Sequence, residues 1–67
     1  MNMNSADSVR AWQNVIIFAA STKLGRELTD QERLFITSRS GFIALEAIYD
    51  TVNAESKEFV ECYLNDQ

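Results

Sequence analysis

The stretch from Thr29 to Val52 limits the fold of this chain more than any other feature. It begins with Thr29-Asp30-Gln31-Glu32, in which the threonine hydroxyl can accept from the Glu32 amide while the Glu32 side chain accepts from the Thr29 amide. Apolar residues then recur at intervals of three and four, which places them on one face of an α-helix. These residues are Leu34, Phe35, Phe42, Leu45, Ile48, Tyr49 and Val52. The pattern predicts a helix over residues 30–52.

The predicted helix has a second apolar seam and a middle made of small residues. Ile36, Ile43 and Ala47 lie beside the main face, so the helix has two sides to bury. Thr37, Ser38, Ser40 and Gly41 separate the bulky residues, and a helical glycine costs up to about 1 kcal/mol relative to alanine. This middle either allows a second helix to approach closely or is a weak point or kink.

An earlier amphipathic pattern predicts a first helix over residues 7–24. Val9, Trp12, Ile16 and Ala19 form its stripe, and Gly25 follows where a residue of positive φ commonly ends a helix. The run from Val15 to Phe18 is apolar on nearly every side. Such a run must pack against more than one neighbour, so its second apolar side is buried either by another helix of the same chain or by another subunit.

The end of the chain allows two readings. Phe59, Val60, Tyr63 and Leu64 extend the earlier stripe, so residues 30–64 could form one helix of about 50 Å. A break near Asn53 is favoured, which leaves a short third helix over residues 54–64. Because proline is absent and glycine occurs twice, we expect an all-α fold: a helical hairpin of two main helices with this possible third helix.

The small size of the chain favours self-association. Its 67 residues make one domain, 1–67, with 1–6 expected to be disordered, and a chain of this size buries only about 60% of its unfolded surface. With one cysteine and no histidine, an internal disulfide and a structural zinc site are excluded. We therefore expect a homodimer. The residues predicted to form a dimer or core seam are Val15, Phe18, Ile36, Gly41, Phe42, Ile43 and Leu45.

The charge of −4 is concentrated in the last third of the chain, where six acidic residues follow Leu45 and Lys57 is the one basic residue. Phosphate backbones repel such a surface, so direct binding of nucleic acid is not expected. A basic protein, such as a DNA-binding regulator, is a suitable partner, although the carboxylates could simply confer solubility. The predicted partner-binding residues are the possible aromatic anchor Trp12 and the acidic residues Glu46, Asp50, Glu55, Glu58 and Glu61.

The sequence predicts neither catalysis nor a cofactor. Ser38 and Ser40 have no histidine to activate them. Phosphate-binding glycine loops and calcium loops are missing from the sequence. The longest apolar run, Val15 to Ala20, is far too short for a signal peptide or a membrane span. We expect a non-enzymatic, cytoplasmic protein of phage or bacterial type.

Two segments, Glu27-Leu28-Thr29-Asp30-Gln31-Glu32 and Tyr49-Asp50-Thr51-Val52 followed by Phe59-Val60, resemble parts of a known family. They are similar to the turn and helix start, and to the C-terminal end, of the Hha/YmoA family of small helical bacterial modulators. The resemblance implies binding to a nucleoid-structuring protein through a charged helical surface, with effects on transcription and no independent reading of DNA. Residues 8–22 do not match that family, and Asn53 stands where a proline is usual.

Two functions agree with these observations. The first is a small regulator that binds a larger protein, such as a transcriptional regulator or nucleoid-associated protein, and modulates or inhibits it. The second is a structural or chaperone-like adaptor whose apolar helices complete a larger assembly.

Overall fold

A computed structural model describes residues 5–66, with side chains from residue 7 onward. It contains four α-helices in this range: α1 (Ser5–Leu24), α2 (Asp30–Thr37), α3 (Phe42–Ala54) and α4 (Lys57–Asn65). No strand occurs among the described residues, which confirms the all-α prediction. Ser5 and Ala6 lie within α1, although they belong to the segment 1–6 that was expected to be disordered. Residues 1–4 lie outside the described range.

α1 is the helix on which the other three pack. α2 runs back along α1, since Gln13 near the start of α1 bonds to Thr37 at the end of α2. α3 then runs in the same direction as α1, because Trp12 contacts Tyr49 while Lys23, eleven residues later in α1, bonds to Glu55 after the end of α3. The fully buried core draws on every helix and on the first turn, with Ile16, Ala20, Leu24, Leu28, Ile36, Leu45, Ile48, Val52, Val60 and Leu64.

The predicted end and buried stripe of the first helix are confirmed. α1 ends at Leu24, and Gly25 adopts a φ of +72°, the left-handed conformation that glycine takes without steric cost. The amides of Gly25 and Arg26 both donate to the Ser21 carbonyl, at 2.8 and 3.2 Å. Within the apolar run of α1, helices of the same chain bury Ile16 and partly bury Ile17, but Val15 and Phe18 remain exposed.

The predicted helix over residues 30–52 is wrong in its continuity, because α2 ends at Thr37 and α3 begins at Phe42. Ser38, Ser40 and Gly41 favour helix ends by propensity, and the Gln13 side chain bonds to the carbonyls of Thr37 and Arg39. The Gln13 side chain thus supplies these two carbonyls with hydrogen bonds that backbone amides would supply in a continuous helix. The break also lets α3 return alongside α1, so the predicted two-helix hairpin becomes a four-helix arrangement.

The predicted break near Asn53 is confirmed. α3 ends at Ala54, and α4 begins at Lys57 after Ser56, whose hydroxyl accepts from the Phe59 amide at 3.1 Å. The cap is therefore Ser56. A single helix of about 50 Å over residues 30–64 is excluded, since the longest dimension of the molecule is 41 Å.

Candidate functional site

A buried carboxylate, Glu32, joins the turn after α1 to the start of α2 and the end of α4. Its side chain is 1% exposed. Both of its oxygens accept from the Arg26 guanidinium at 2.9 Å, and Oε1 also accepts from the Thr29 amide at 2.9 Å. Asn65 Nδ2 donates to Oε2 at 2.8 Å. Together with Glu61, which accepts from Arg26 at 3.3 Å, these residues form what we call the Glu32 cluster.

The electrostatics of the Glu32 cluster indicate a structural role. The Arg26 hydrogen bonds outweigh desolvation and, with help from the Thr29 amide and Asn65, lower the pKa of Glu32 from 4.5 to about 2. The same contact with Glu32 raises the pKa of Arg26. Among the described residues, no buried side-chain polar atom lacks a hydrogen-bond partner. The cluster is thus complete without a ligand and fastens three parts of the chain.

The α1–α3 groove is the first exposed apolar surface. We define it by Val15, Phe18, Ala19, Thr22, Lys23, Tyr49 and Asn53, which enclose about 310 Å³. Phe18 is 73% exposed and Val15 is 46% exposed. The Tyr49 ring forms one wall and lies 4.9 Å from the Trp12 ring, so the wall rests on a partly buried tryptophan. The Lys23 ammonium donates to the Glu55 carbonyl at 2.7 Å and is thereby held at the end of the groove.

Two carboxylates, Glu46 and Asp50, form an acidic rim beside this groove. Glu46 precedes Tyr49 by three residues and Asn53 by seven, which places it on the groove side of α3, and Asp50 lies one turn further along. Phe42 and Ile43 at the start of α3 are also exposed, Ile43 by 85%. Because α3 contains no lysine or arginine, the rim has an uncompensated negative charge within its own helix.

The α2–α4 groove is the second exposed apolar surface. Its first part is lined by Gln31, Leu34, Phe35, Ser38, Arg39 and Asp66 and encloses about 580 Å³. Its second part adds Phe59, Cys62, Tyr63 and Asn65 and encloses about 540 Å³. Leu34 is 63% exposed and Phe59 is 49% exposed. The Arg39 guanidinium lies 4.1 Å above the Phe35 ring and donates to the Phe35 carbonyl at 2.6 Å.

The predicted partner-binding residues do not form one surface. Glu46 and Asp50 are together on α3, but Glu55 lies in the turn before α4 and Glu58 is on α4. Glu61 faces Arg26 as part of the Glu32 cluster. Trp12 packs against the core and Tyr49. Glu46 and Asp50 border the α1–α3 groove, whereas Glu58 precedes Cys62 by four residues and Asn65 by seven, which places it on the groove side of α4.

The predicted dimer or core seam divides into two groups. Ile36 and Leu45 are fully buried within the monomer, whereas Val15, Phe18, Phe42 and Ile43 are exposed. Gly41 is in neither group, since it is the N-cap residue of α3. A Cβ atom at Gly41 would meet nothing within 4 Å, so no close helix approach requires this glycine.

Sequence reasoning missed the α2–α4 groove because it placed Leu34 and Phe59 on the core stripe. The break at residues 38–41 ends the shared helical register, and α2 buries Ile36 and Glu32 while Leu34 points outward. The cluster of small residues before Phe42 was the available signal. The capping box itself was correctly predicted, but the roles of Arg26 and Asn65 depend on packing between distant segments.

Within residues 7–66, no group of three or more cysteine or acidic side chains is placed to hold a metal ion. No helix in the described part of the chain has both the length and the apolar character that crossing a bilayer requires. Comparison with known protein families, curated proteins and solved structures finds no significant match for this chain.

Proposed function

We propose that this chain is a non-enzymatic regulator that binds a larger protein through the α1–α3 groove and its acidic rim. The observation that carries the proposal is the exposure of Phe18 and Val15 beside a groove walled by Tyr49. Contiguous apolar surface bordered by polar residues is typical of protein-binding sites. An aromatic side chain held on a helix is also a common anchor in such interfaces.

The groove and its rim define the partner by chemistry. An apolar side chain of the partner, presented on a helix, would fill the space between Phe18 and Tyr49. Basic side chains beside it would pair with Glu46 and Asp50, which would speed encounter and disfavour acidic proteins. A transcriptional regulator or a nucleoid-associated protein, both of which contain basic surface for DNA, meets this description.

The resemblance to the Hha/YmoA family agrees with such a partner and stays part of the proposal, as does a cytoplasmic location. Three basic residues already bond within the chain: Lys23 to Glu55, Arg26 to Glu32 and Arg39 to Phe35. The ion pairs of Arg26 with Glu32 and Glu61 take one of these cations out of any basic surface for DNA, which supports a protein partner.

A structural or chaperone-like adaptor is the second candidate. It is favoured by the presence of two apolar grooves on different helix pairs, since an adaptor contacts two neighbours at once. The two functions differ in the behaviour of the isolated chain. A regulator is soluble and stable alone, whereas an adaptor aggregates until a partner is co-expressed; size exclusion with light scattering separates these outcomes.

Quantitative affinity capture from the native host tests the α1–α3 groove. Three baits are compared: the wild type, Phe18→Lys, and the matched control Leu34→Lys, which places the same charge at a similarly exposed apolar position of α2. Loss of an interface anchor weakens binding by about tenfold or more. We therefore expect a protein with a basic surface to be captured by the wild type and by Leu34→Lys, and to be strongly depleted with Phe18→Lys.

Circular dichroism of each bait confirms that the fold is unchanged. Equal recovery of every captured protein by the wild type and Phe18→Lys would show that the α1–α3 groove is not the binding surface. A further bait with Glu46→Lys and Asp50→Lys tests the rim. Its partner recovery should fall, and the loss should shrink at high salt because the rim is exposed.

A further inference from the structure

We infer that the α2–α4 groove binds a second copy of this chain, so that the protein forms a symmetric dimer through α2 and α4. This dimer surface differs from the seam predicted from the sequence, whose buried members lie inside the monomer. It also differs from the surface proposed for the partner protein. The inference therefore does not depend on the proposed function.

The groove offers the apolar contact that such an interface needs. Leu34 and Phe59 are exposed on its two helices. Between them, the Tyr63 ring lies 5.0 Å from the Phe35 ring, edge to face, and 6.3 Å from the Phe59 ring in a stacked arrangement. Aromatic rings already fixed against each other lose little conformational freedom on binding, which favours association.

Charge distinguishes this groove from the α1–α3 groove as a surface for self-association. A two-fold interface brings the same patch of both subunits together, so it must be complementary to itself. The lining of the α2–α4 groove contains one cation, Arg39, and one carboxylate, Asp66, and Glu58 lies beside it on α4. Among the described residues, no salt bridge joins these two groups within one protomer. In a symmetric dimer, we expect Arg39 of each copy to pair with Asp66 of the other.

The acidic rim makes the α1–α3 groove a poor surface for self-association. Two copies joined through the α1–α3 groove would bring Glu46 and Asp50 of one subunit towards the same residues of the other. The lining of this groove contains one cation, Lys23, and its ammonium is held at the Glu55 carbonyl, nine residues beyond Glu46. Like charges at an interface are repulsive, so the rim disfavours a second copy there and favours a basic protein.

Arg39 is held in position before any dimer forms. Its guanidinium donates to the Phe35 carbonyl at 2.6 Å and to Ser38 Oγ at 3.1 Å, and it stacks on the Phe35 ring. Its backbone carbonyl accepts from Gln13 of α1. A cation fixed in this way has little remaining freedom to lose when it pairs with a carboxylate.

The test is the molecular mass of the full chain in solution across a concentration series from micromolar to millimolar, measured by sedimentation equilibrium. The wild type should approach twice the monomer mass of 7.6 kDa. Leu34→Lys and Phe59→Lys should each weaken the dimer by about tenfold or more. Phe18→Lys is the matched control and should leave the dimer unchanged.

A charge swap tests the reciprocal pairing of Arg39 and Asp66. Asp66→Arg should weaken the dimer, and adding Arg39→Glu to it should restore at least part of the affinity. Circular dichroism shows whether each variant keeps its helical content. The exposed thiol of Cys62 lies in the groove and gives a second readout, since its alkylation should slow as the dimer forms.

The possible outcomes are distinct. A wild type that stays monomeric over the whole series overturns the inference. A dimer that is lost with Phe18→Lys and kept with both Leu34→Lys and Phe59→Lys also overturns it, because the interface would then be the α1–α3 groove. Weakening by Leu34→Lys and Phe59→Lys together with rescue by the charge swap supports it.

Discussion

At the scale of single residues, Glu32 has the most unusual environment in the described part of the chain. Four hydrogen bonds reach its carboxylate, from the Arg26 guanidinium, the Thr29 amide and Asn65. We predict that Glu32→Gln lowers the free energy of unfolding by about 2–4 kcal/mol, because an amide cannot accept all four bonds and leaves Arg26 with only the exposed Glu61 as a carboxylate partner. Chemical denaturation measures this change.

Glu61→Gln is the matched control, since Glu61 contacts the same guanidinium but is about half exposed. Its effect should stay within about 0.5 kcal/mol, as for most exposed ion pairs. Equal losses in the two variants would mean that the burial of Glu32 contributes nothing.

The pH dependence of the Glu32→Gln effect follows from the lowered pKa. The pKa of Glu32 is about 2 when folded and 4.5 ordinarily, so the unfolded chain takes up the proton first as pH falls. The stabilisation is complete above about pH 4.5 and disappears as pH falls towards 2. The difference in unfolding free energy between the wild type and Glu32→Gln should therefore shrink across this window. A constant difference would contradict the Arg26–Glu32 interaction.

At the scale of helices, the two glycines end and begin elements in different ways. Gly25 has a φ of +72°, whereas Gly41 has a φ of −82° with open space around the position of a Cβ atom. We predict that Gly25→Ser lowers the free energy of unfolding by about 1–2 kcal/mol, because a side chain is disfavoured in the left-handed region. Gly41→Ser should raise it by up to about 1 kcal/mol by capping α3 and restricting the unfolded chain.

Thermal unfolding of the two variants provides the measurement, and each variant is the control for the other. Destabilisation of similar size at both positions would show that Gly41 does serve a close packing contact. That result would support the first of the two interpretations of the small residues at 37–41, a close helix approach, over a weak point or kink.

The helix boundaries show how far local sequence determines this fold. Gly25 and the Thr29–Glu32 capping box act through their immediate neighbours, so the end of α1 and the start of α2 could be predicted. The small residues at 37–41 indicated a weak point or kink as one alternative, but the bonds that hold the break come from Gln13, which lies 24 residues before Thr37. Periodicity continued through the break as if the helix were intact, and it therefore placed Phe42 and Leu34 in the core.

At the scale of the whole molecule, two apolar grooves remain after the core is complete. Ile36 and Leu45, which were predicted to form a dimer or core seam, are buried in the core of the monomer. Glu46 and Asp50 lie beside the exposed residues left on α1 and α3, and the cation Lys23 is held at the end of that groove. The exposed residues on α2 and α4 lie beside Arg39 and Asp66, which share one lining. This difference is the basis for assigning a partner protein to one groove and a second copy to the other. No periodicity argument could have revealed it, because it depends on which helices become neighbours.

Site-specific photo-cross-linking in the native host tests this assignment most directly. A photoreactive phenylalanine analogue replaces Phe18 in one protein and Phe59 in another, two exposed aromatic positions in different grooves. The analogue at Phe18 should cross-link a different, basic protein, and the analogue at Phe59 should cross-link a second copy of this chain. Self-cross-linking through Phe18, together with capture of the other protein through Phe59, would contradict the account.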